Sequence, residues 1–185
     1  MSKKASAIIL KGGATLGLQM MTGLPCDNME KCLYTARRFI ELGAKESRIY
    51  PTVVLRGTKL AKMYECGEYM PQGVEKAVDI SARVYRLFKE NEITVLRIGL
   101  PDSSELKENY IAGAYHPALG ELVISRDIRN QIEESLCGKK EAQIRVNPKF
   151  ISKVNGNRRS NIEYFKSKGI KITIVEDSSV EEIEL

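Results

Sequence analysis

The sequence contains few cysteine and histidine side chains, two residue types that commonly act as nucleophiles, metal ligands or acid–base groups. Its four cysteines are Cys26, Cys32, Cys66 and Cys137, and its single histidine is His116. No two of the cysteines form a C-x-x-C pair, so their spacing predicts neither a disulfide framework nor a zinc site. A metal-ligand role for Cys26 and Cys32 is not favoured either. We expect reduced, mostly buried thiols.

The histidine lies in the segment "AYHPALGEL" and has two interpretations. As the sole imidazole, His116 could act as a general acid. The adjoining Pro117 and the small apolar neighbours suit a buried histidine that donates a hydrogen bond to a carbonyl. We prefer the structural role.

The basic residues are concentrated near the end of the chain. Residues 139–175 contain ten Lys or Arg and two Asp or Glu, a surplus of 10 − 2 = +8, whereas residues 176–185 contain five acidic residues and no basic one. Such a block indicates either a surface that binds a polyanion or an ordinary solvated surface. Composition leaves both interpretations open.

Length and composition are those of a globular protein. The chain has 185 residues, of which 43% are hydrophobic and 29% charged, enough for one domain and a small second one. Near the N-terminus the apolar run "AIIL" is too short for a signal peptide or a membrane span. We therefore expect a cytoplasmic protein that does not interact with membranes.

A strand, a helix and a second strand are predicted over residues 16–55. The first strand is "LGLQMMTGLP"; Asp27 is the expected N-cap of the helix, with Glu30 reaching back, and Gly43 ends it. The second strand is "RIYPTVVL", closed by "RGT". Such a crossover makes the two strands parallel, and their apolar character predicts cover on both faces. Ligands gather at the carboxyl ends of such strands, so "TGLP" and "LRGT" should lie side by side.

The remaining pattern alternates helices and strands. Thr58 is the expected N-cap of a short helix ended by Gly67, and a longer helix follows over residues 73–91. A strand "ITVLRIGL", a loop-rich stretch and a further helix lead to residue 138. Beyond it, "AQIRVN" and "IKITIV" are predicted strands that bracket two helices broken near Asn155 and Gly156.

Three of these segments carry a family resemblance. "LGLQMMTGLP", "RIYPTVVLRGTKLAKMYECGEYMP" and "AGAYHPALGELVISR" together resemble the C-terminal half of radical S-adenosylmethionine (radical SAM) enzymes, in order and spacing from Leu16 to Ile132. The most similar group is related to the Elongator catalytic subunit and to oxygen-independent coproporphyrinogen oxidase. "RIYPTVVLRGT" is the strongest piece. This chain has Ala114 at the position where the family's "GPYHP" motif has its first proline.

The resemblance implies an α/β fold in three segments. Residues 1–57 correspond to the last two strands of a partial (β/α) radical SAM barrel, and residues 58–138 to its C-terminal α+β extension. Residues 139–185 resemble a small KH-like α+β unit that binds RNA. The strands that precede Leu16 in the family are expected to be missing from this chain.

The resemblance also implies a cofactor surface. The adenosyl group of S-adenosylmethionine is expected to rest against the carboxyl ends of the first two strands. Gln19, Met21 and Tyr50 are the expected contacts, and Gly23 is expected to permit close approach of the backbone. The alternative is that these residues only pack the barrel.

The chain departs from the family at its iron–sulfur cluster. Such enzymes hold a [4Fe-4S] cluster with three thiolates in C-x-x-x-C-x-x-C, and this spacing does not occur in the sequence. We therefore expect S-adenosylmethionine and the cluster in the full-length family and neither in this chain alone. The chain is interpreted as a C-terminal fragment, inactive alone, of an enzyme acting on tRNA or another RNA, with a porphyrin-like substrate as the rival. The alternative is a noncatalytic RNA-binding or accessory protein, so enzymatic activity stays undecided.

The final segment resembles a minimal KH-like unit through its strand–helix–helix–strand order. The family's G-x-x-G loop reads Gly156, Asn157, Arg158 and Arg159 here, so the second glycine is absent. Five basic residues are expected to contact RNA phosphates: Lys149, Lys153, Arg158, Arg159 and Lys166. The alternative is a solvated appendage. The expected partners are thus RNA, an N-terminal barrel half, or a second copy of the chain.

Overall fold

The computed structural model describes residues 2–185, which divide into two compact units. Unit 1 extends to Gly120, and unit 2 comprises Glu121–Leu185. The three-segment division at residues 57 and 138 rests on the family resemblance and stays a prediction. None of the helices in residues 2–185 is long and apolar enough to cross a bilayer.

Eight α-helices, eight strands and two short 3₁₀ helices, Pro148–Phe150 and Asn157–Arg159, make up the described part of the chain. The helices are α1 (Ser2–Lys11), α2 (Met29–Glu41), α3 (Lys59–Glu65), α4 (Val74–Glu90), α5 (Ser104–Asn109), α6 (Leu119–Leu136), α7 (Ile151–Asn155) and α8 (Ser160–Ser167). The strands are β1 (Gly17–Thr22), β2 (Glu46–Pro51), β3 (Val53–Leu55), β4 (Thr94–Ile98), β5 (Tyr110–Gly113), β6 (Glu141–Val146), β7 (Lys171–Glu176) and β8 (Ile183–Glu184).

The predicted strand–helix–strand unit is present at the start of unit 1. β1 and β2 are parallel, in a register that runs from Gly17 opposite Glu46 to Thr22 opposite Pro51. β4 adds a third parallel strand on the other side of β2. We expected β1 and β2 to be the last two strands of the barrel. That expectation is wrong for this sheet, because β4, which comes from residues assigned to the extension, continues it.

Helices α2 and α4 cover one face of this sheet. Met20 and Ile49 point into a core completed by Ala36, Val84 and Phe88, all nearly inaccessible to solvent. On the other face of β1, every second residue is exposed. Within residues 2–185 the expectation of cover on both faces is therefore wrong. The reason is alternation: one side of β1 carries the apolar core residues and the other carries Gln19 and Met21.

The predicted second strand breaks into two at Thr52. β2 ends at Pro51, and β3 pairs antiparallel with β5 in a separate sheet. Gly113 in β5 permits this close pairing, because its φ is +109° and a Cβ there would lie 2.8 Å from the carbonyl oxygen of Thr52. Residues 55–58, "LRGT", thus follow a strand of a different sheet. The expectation that they end the strand beside β1 is wrong.

Unit 2 has the predicted strand–helix–helix–strand order. β6 and β7 are parallel, and β8, which the sequence pattern did not indicate, pairs antiparallel with the other edge of β6. Ile144, Val154 and Phe165 form a core with Ile128 and Ile132 of α6. α7 and α8 thus pack onto this sheet through apolar side chains and leave their connecting turn at the surface.

Candidate functional site

The open face of the β1–β2–β4 sheet brings together most of the residues predicted to contact a cofactor. The register places Gln19 opposite Arg48 and Met21 opposite Tyr50, so all four side chains lie on the face opposite to α2 and α4. Gln19 is exposed, Met21 is 48% exposed, and the other two are half-buried. Arg48 was not predicted. Its alternation with Tyr50 in the second strand is the signal that could have found it.

Gly23 differs from the other three predicted residues. Its φ is +81°, and a Cβ there would lie 2.4 Å from the Nε2 atom of Gln72. That Nε2 donates to the carbonyl oxygen of Thr22 at 3.2 Å, and the hydroxyl of Tyr69 donates to the carbonyl oxygen of Gly23 at 2.5 Å. The space beside this glycine is therefore filled by the protein's own side chains. Its small size serves internal packing.

Asp27 organises the loop that follows β1. One of its carboxylate oxygens accepts from the backbone N–H of Gly23 at 2.9 Å and from the thiol of Cys32 at 3.2 Å. The N-cap of α2 is Asn28, whose side chain accepts from the N–H of Lys31 at 2.9 Å. The expectation that Asp27 caps this helix is wrong. Asp27 lies one residue before the N-cap, and its carboxylate binds the loop that precedes the helix.

The cysteines of this loop do not supply a pair of thiolates. Burial, and secondarily the carboxylate of Asp27, raise the pKa of Cys32 to about 12. Cys26, Cys66 and Cys137 are exposed, contrary to the expectation of mostly buried thiols. Among the described residues, no group of three His, Cys, Asp or Glu side chains could hold a metal ion. The cysteines present do not fit a three-thiolate cluster site.

We expect Cys32 to resist alkylation in the folded protein. With a pKa of about 12, roughly one Cys32 in 10⁴ is a thiolate at pH 8, and burial blocks access as well. Iodoacetamide labelling followed by peptide mass spectrometry should therefore modify the three exposed cysteines and spare Cys32 until urea unfolds the chain. Asp27→Asn should lower the pKa of this thiol only in part, because burial is the larger cause. Equal labelling rates for Cys26 and Cys32 would contradict this account.

A pocket of about 390 Å³ opens beside Gly23 at the carboxyl end of β1. Asp27, Glu68, Tyr69 and Lys76 are among the residues that line it. Burial, and then the charge of Asp27, raise the pKa of Tyr69, which therefore stays a neutral donor at physiological pH. This is where ligands bind in parallel sheets. No local sequence signal predicts Glu68, Tyr69 or Lys76 in this pocket, because they come from a different connection.

His116 lies just before the start of helix α6. Its Nδ1 atom accepts a hydrogen bond from the backbone N–H of Ala118 at 3.1 Å, where α6 begins. It therefore accepts, whereas we expected it to donate to a carbonyl. Helix starts leave N–H groups without a partner inside the helix, and this side chain satisfies one of them.

The turn between α7 and α8 in unit 2 holds two of the predicted RNA contacts. Gly156, Arg158 and Arg159 all have positive φ, at 77°, 51° and 62°. A left-handed conformation costs a residue with a side chain roughly 1–2 kcal/mol, so the packing of unit 2 must hold this turn in place. Both arginines are exposed. The turn thus presents two adjacent guanidinium groups to solvent.

Asn161 fixes this turn from beneath. It is 3% exposed, and its Nδ2 atom lies 2.9 Å from the hydroxyl of Ser125, 3.0 Å from the carbonyl oxygen of Ser125 and 3.1 Å from that of Val154. One amide group therefore ties α6, the end of α7 and the start of α8 together. The sequence did not predict this role of Asn161, because an asparagine near a glycine turn is usually a surface residue.

The other predicted RNA contacts lie on the helical segments around this turn. Lys149 and Lys166 are exposed, and the ammonium group of Lys153 lies 4.6 Å from the centre of the Phe150 ring. In residues 2–185, none of the five predicted contacts forms an ion pair. They are thus available to an anionic ligand.

Two other members of the basic block are already neutralised. Arg145 donates through Nε to Asp177 at 2.9 Å and also pairs with Glu184 of the acidic C-terminal segment. Lys168 pairs with Glu133 at 2.5 Å. The +8 surplus of the sequence is therefore not presented to solvent in full. Positive charge without an ion pair in residues 2–185 remains at the α7–α8 turn and its flanks, and also at Lys139, Lys140 and Lys171.

Comparison with known proteins confirms the resemblance to radical SAM enzymes. Residues 44–130 match the Radical_SAM C-terminal domain. The Elongator complex protein 3 of Dictyostelium discoideum is 37% identical over 71 residues, which is 37% of this chain and 13% of that protein. The tRNA uridine(34) acetyltransferase of Methanocaldococcus jannaschii is 30% identical over 80 residues, 42% of this chain and 15% of that protein.

A solved structure shares the fold. The archaeal Methanocaldococcus infernus Elp3, with an N-terminal deletion of residues 1–46, superimposes with a TM-score of 0.58 at 21% identity. The superposition covers 72% of this chain and 30% of that one. The chain thus spans less than a third of the length of each of these proteins. The similarity to coproporphyrinogen oxidases stays a prediction.

Proposed function

We propose that this chain, whose residues 44–130 match the radical SAM C-terminal domain, supplies the C-terminal barrel strands and an RNA-binding unit to an Elongator-like RNA-modifying enzyme. The observation that carries the proposal is the open face of the β1–β2–β4 sheet. Its parallel strands are packed on one side by helices and exposed on the other, as expected for strands that line the inside of a barrel.

The open face supports a role in holding S-adenosylmethionine. Gln19, Met21 and Tyr50 offer an amide, a polarisable thioether and an aromatic ring side by side, which suits an adenosyl group. Gly23 is left out of this proposal, because Gln72 occupies the space beside it. When bound in radical SAM enzymes, the cofactor supplies its adenosyl group through reductive cleavage. This chain's share of the work is to position that group.

The cluster must come from elsewhere in the proposed enzyme. Cys32 is protonated and bound to Asp27, and the remaining cysteines lack the three-thiolate spacing. We infer that the chain alone has no cluster and no radical SAM activity, and that it works with a separate N-terminal barrel half. A stoichiometric [4Fe-4S] cluster formed by the purified chain under anaerobic conditions with iron and sulfide would contradict this part of the proposal.

RNA is the proposed macromolecular partner. One relative is named as a tRNA uridine(34) acetyltransferase, which makes tRNA the first RNA to test. The exposed arginines of the α7–α8 turn support the proposal, because they are adjacent on a turn with a defined backbone conformation and make no ion pair within residues 2–185. Unit 2 would then hold the RNA while the barrel face positions the cofactor.

Charge reversal at the turn is expected to weaken RNA binding. In Arg158→Glu/Arg159→Glu, two phosphate contacts are replaced by repulsion, so the dissociation constant for tRNA should rise at least about tenfold near physiological salt. Filter binding or fluorescence anisotropy over a series of salt concentrations measures it. The control is Lys3→Glu/Lys4→Glu, which changes the net charge equally on exposed residues of α1. Equal affinity in the turn variant and the parent would leave unit 2 as a solvated appendage.

A further inference from the structure

The aromatic side chains of unit 2 are all engaged within the protein. Unit 2 contains three, Phe150, Tyr164 and Phe165. Phe165 is 1% exposed and packs edge-on against Tyr164, with ring centres 5.4 Å apart. None of the three can offer a ring to a base without a rearrangement, as their contacts show.

Cations cover the two rings that are partly accessible. The guanidinium of Arg129 lies 4.1 Å from the centre of the Tyr164 ring, and the ammonium of Lys168 lies 4.5 Å from it. The Tyr164 hydroxyl is also bound to Glu133 at 3.0 Å. The ring of Phe150 is contacted by Lys153 at 4.6 Å. A base could stack on either ring only by displacing a cation from it.

Stacking is what usually lets a small protein surface prefer single-stranded nucleic acid. One base stacked on an aromatic ring contributes roughly 5- to 150-fold in affinity. Proteins that recognise RNA sequence splay out unpaired bases onto such rings and read their edges by hydrogen bonds. Unit 2 has the cations for phosphate contacts and no free ring among its described residues, so it lacks this source of preference.

We propose that unit 2 recognises the sugar–phosphate backbone and not the bases. This inference rests on the RNA-binding function proposed above and narrows its ligand to phosphodiester chains of any sequence, with duplex regions bound at least as tightly as single strands. Arg158 and Arg159 contact adjacent phosphates from the rigid turn. Lys166, seven residues further along, extends the contact by about 10 Å along the axis of α8.

The test compares labelled oligonucleotides of equal length by fluorescence anisotropy on the full chain. Oligo(U), oligo(A) and oligo(C) should bind within about threefold of one another, and an RNA duplex at least as tightly as any of them. A DNA duplex should compete within about tenfold, because its phosphates are the same groups. Phe150→Leu should leave affinity within about twofold, whereas loss of a stacked base would lower it more.

The outcomes separate this inference from the function on which it rests. If the chain prefers one sequence, or single strands over the duplex, by more than about tenfold and Arg158→Glu/Arg159→Glu still weakens binding, unit 2 binds RNA but reads bases, and the inference is overturned. A loss of affinity of that size in Phe150→Leu would overturn it as well. If no oligonucleotide binds at any salt concentration tested, the RNA-binding function fails first.

Discussion

Replacing Asn161 by aspartate is expected to destabilise unit 2 strongly at neutral pH. The amide of Asn161 donates to oxygen atoms of Ser125 and Val154 in a site that is almost closed to solvent. An aspartate has the same shape, but its carboxylate donates nothing and places a negative charge among acceptors. Burying such an unpaired charge costs about 3–5 kcal/mol, a large part of a domain's roughly 5–15 kcal/mol.

Two other variants separate the charge from the lost hydrogen bonds. Asn161→Ala leaves the acceptors unpaired without adding a charge, so its loss should be smaller, at about 1–3 kcal/mol. Asn157→Asp makes the same chemical change at an exposed position of the neighbouring turn and should stay within about 0.5 kcal/mol of the parent. Urea unfolding monitored by circular dichroism gives all three values. Equal stability of Asn161→Asp and Asn157→Asp would contradict the anchoring role of Asn161.

The Asn161→Asp variant should also acquire a pH dependence of a definite sign. Burial and the surrounding acceptors raise the pKa of the introduced carboxyl in the folded state above its unfolded value. The folded state therefore binds a proton more tightly than the unfolded state, and the loss of stability grows as the pH rises through the unfolded pKa, about 3.9, towards the folded one. Unfolding measured at pH 4 should show a smaller loss than at pH 7.

Helix boundaries were accessible from the sequence because their signals are local. Thr58 caps α3 by accepting from the N–H of Ala61, as predicted, and Gly43 and Gly67 follow the ends of α2 and α3 with positive φ. Gly156 likewise separates α7 from α8. Each of these signals depends on one or two residues and on the hydrogen bonds of a single turn.

Strand pairing was much less accessible because it depends on distant residues. "RIYPTVVL" looks like one strand, yet it divides at Thr52 because its second part pairs with β5, about sixty residues away in sequence. The same reason hides the joining of β4 to β2 and of β8 to β6. The acidic C-terminal segment that neutralises Arg145 is a further long-range contact that a count of charges along the chain does not reveal.

The residues of the candidate site likewise divide into those that a local pattern predicts and those that depend on distant parts of the chain. Gln19 and Met21 could be placed on one face by alternation along β1, and the parallel register with β2 adds Tyr50. The glycine at the end of β1 was expected to let the backbone approach a cofactor, and that role stays a prediction. In the structure, Gln72 from a distant connection lies beside it. The sequence pattern shows that space is needed at the glycine that follows β1. It does not show what fills it.

The chain purified alone is expected to associate with a second copy through β1. β1 is an edge strand of its sheet, with β2 as its neighbour. The carbonyl oxygens of Leu16 and Thr22 accept from the N–H groups of Lys45 and Thr52. The backbone N–H and carbonyl groups of the even-numbered residues of β1 therefore point towards β2. The N–H groups of Gly17, Gln19 and Met21 therefore point to the open edge. An edge of this kind invites pairing with another strand.

A proline at position 19 distinguishes the two sides of β1. Gln19→Pro removes an N–H that points away from β2, so the fold should tolerate it, while the ring blocks any strand that pairs along the edge. Association measured by analytical ultracentrifugation should weaken at least about tenfold, because each backbone hydrogen bond contributes roughly 0.5–1.5 kcal/mol. Gln19→Ala keeps the N–H and should associate like the parent. Equal association of all three proteins would place the contact elsewhere.

Hydrogen exchange resolves the same question residue by residue. In a monomeric sample the amides of Leu18 and Met20 should be protected by β2 and those of Gln19 and Met21 should exchange quickly. Addition of strands from a second copy, or from the proposed N-terminal barrel half, should protect Gln19 and Met21 as well, because their N–H groups then gain partners. If these two amides are strongly protected in a monomer, the chain closes its own edge. The proposal that a separate barrel half completes the sheet would then fail.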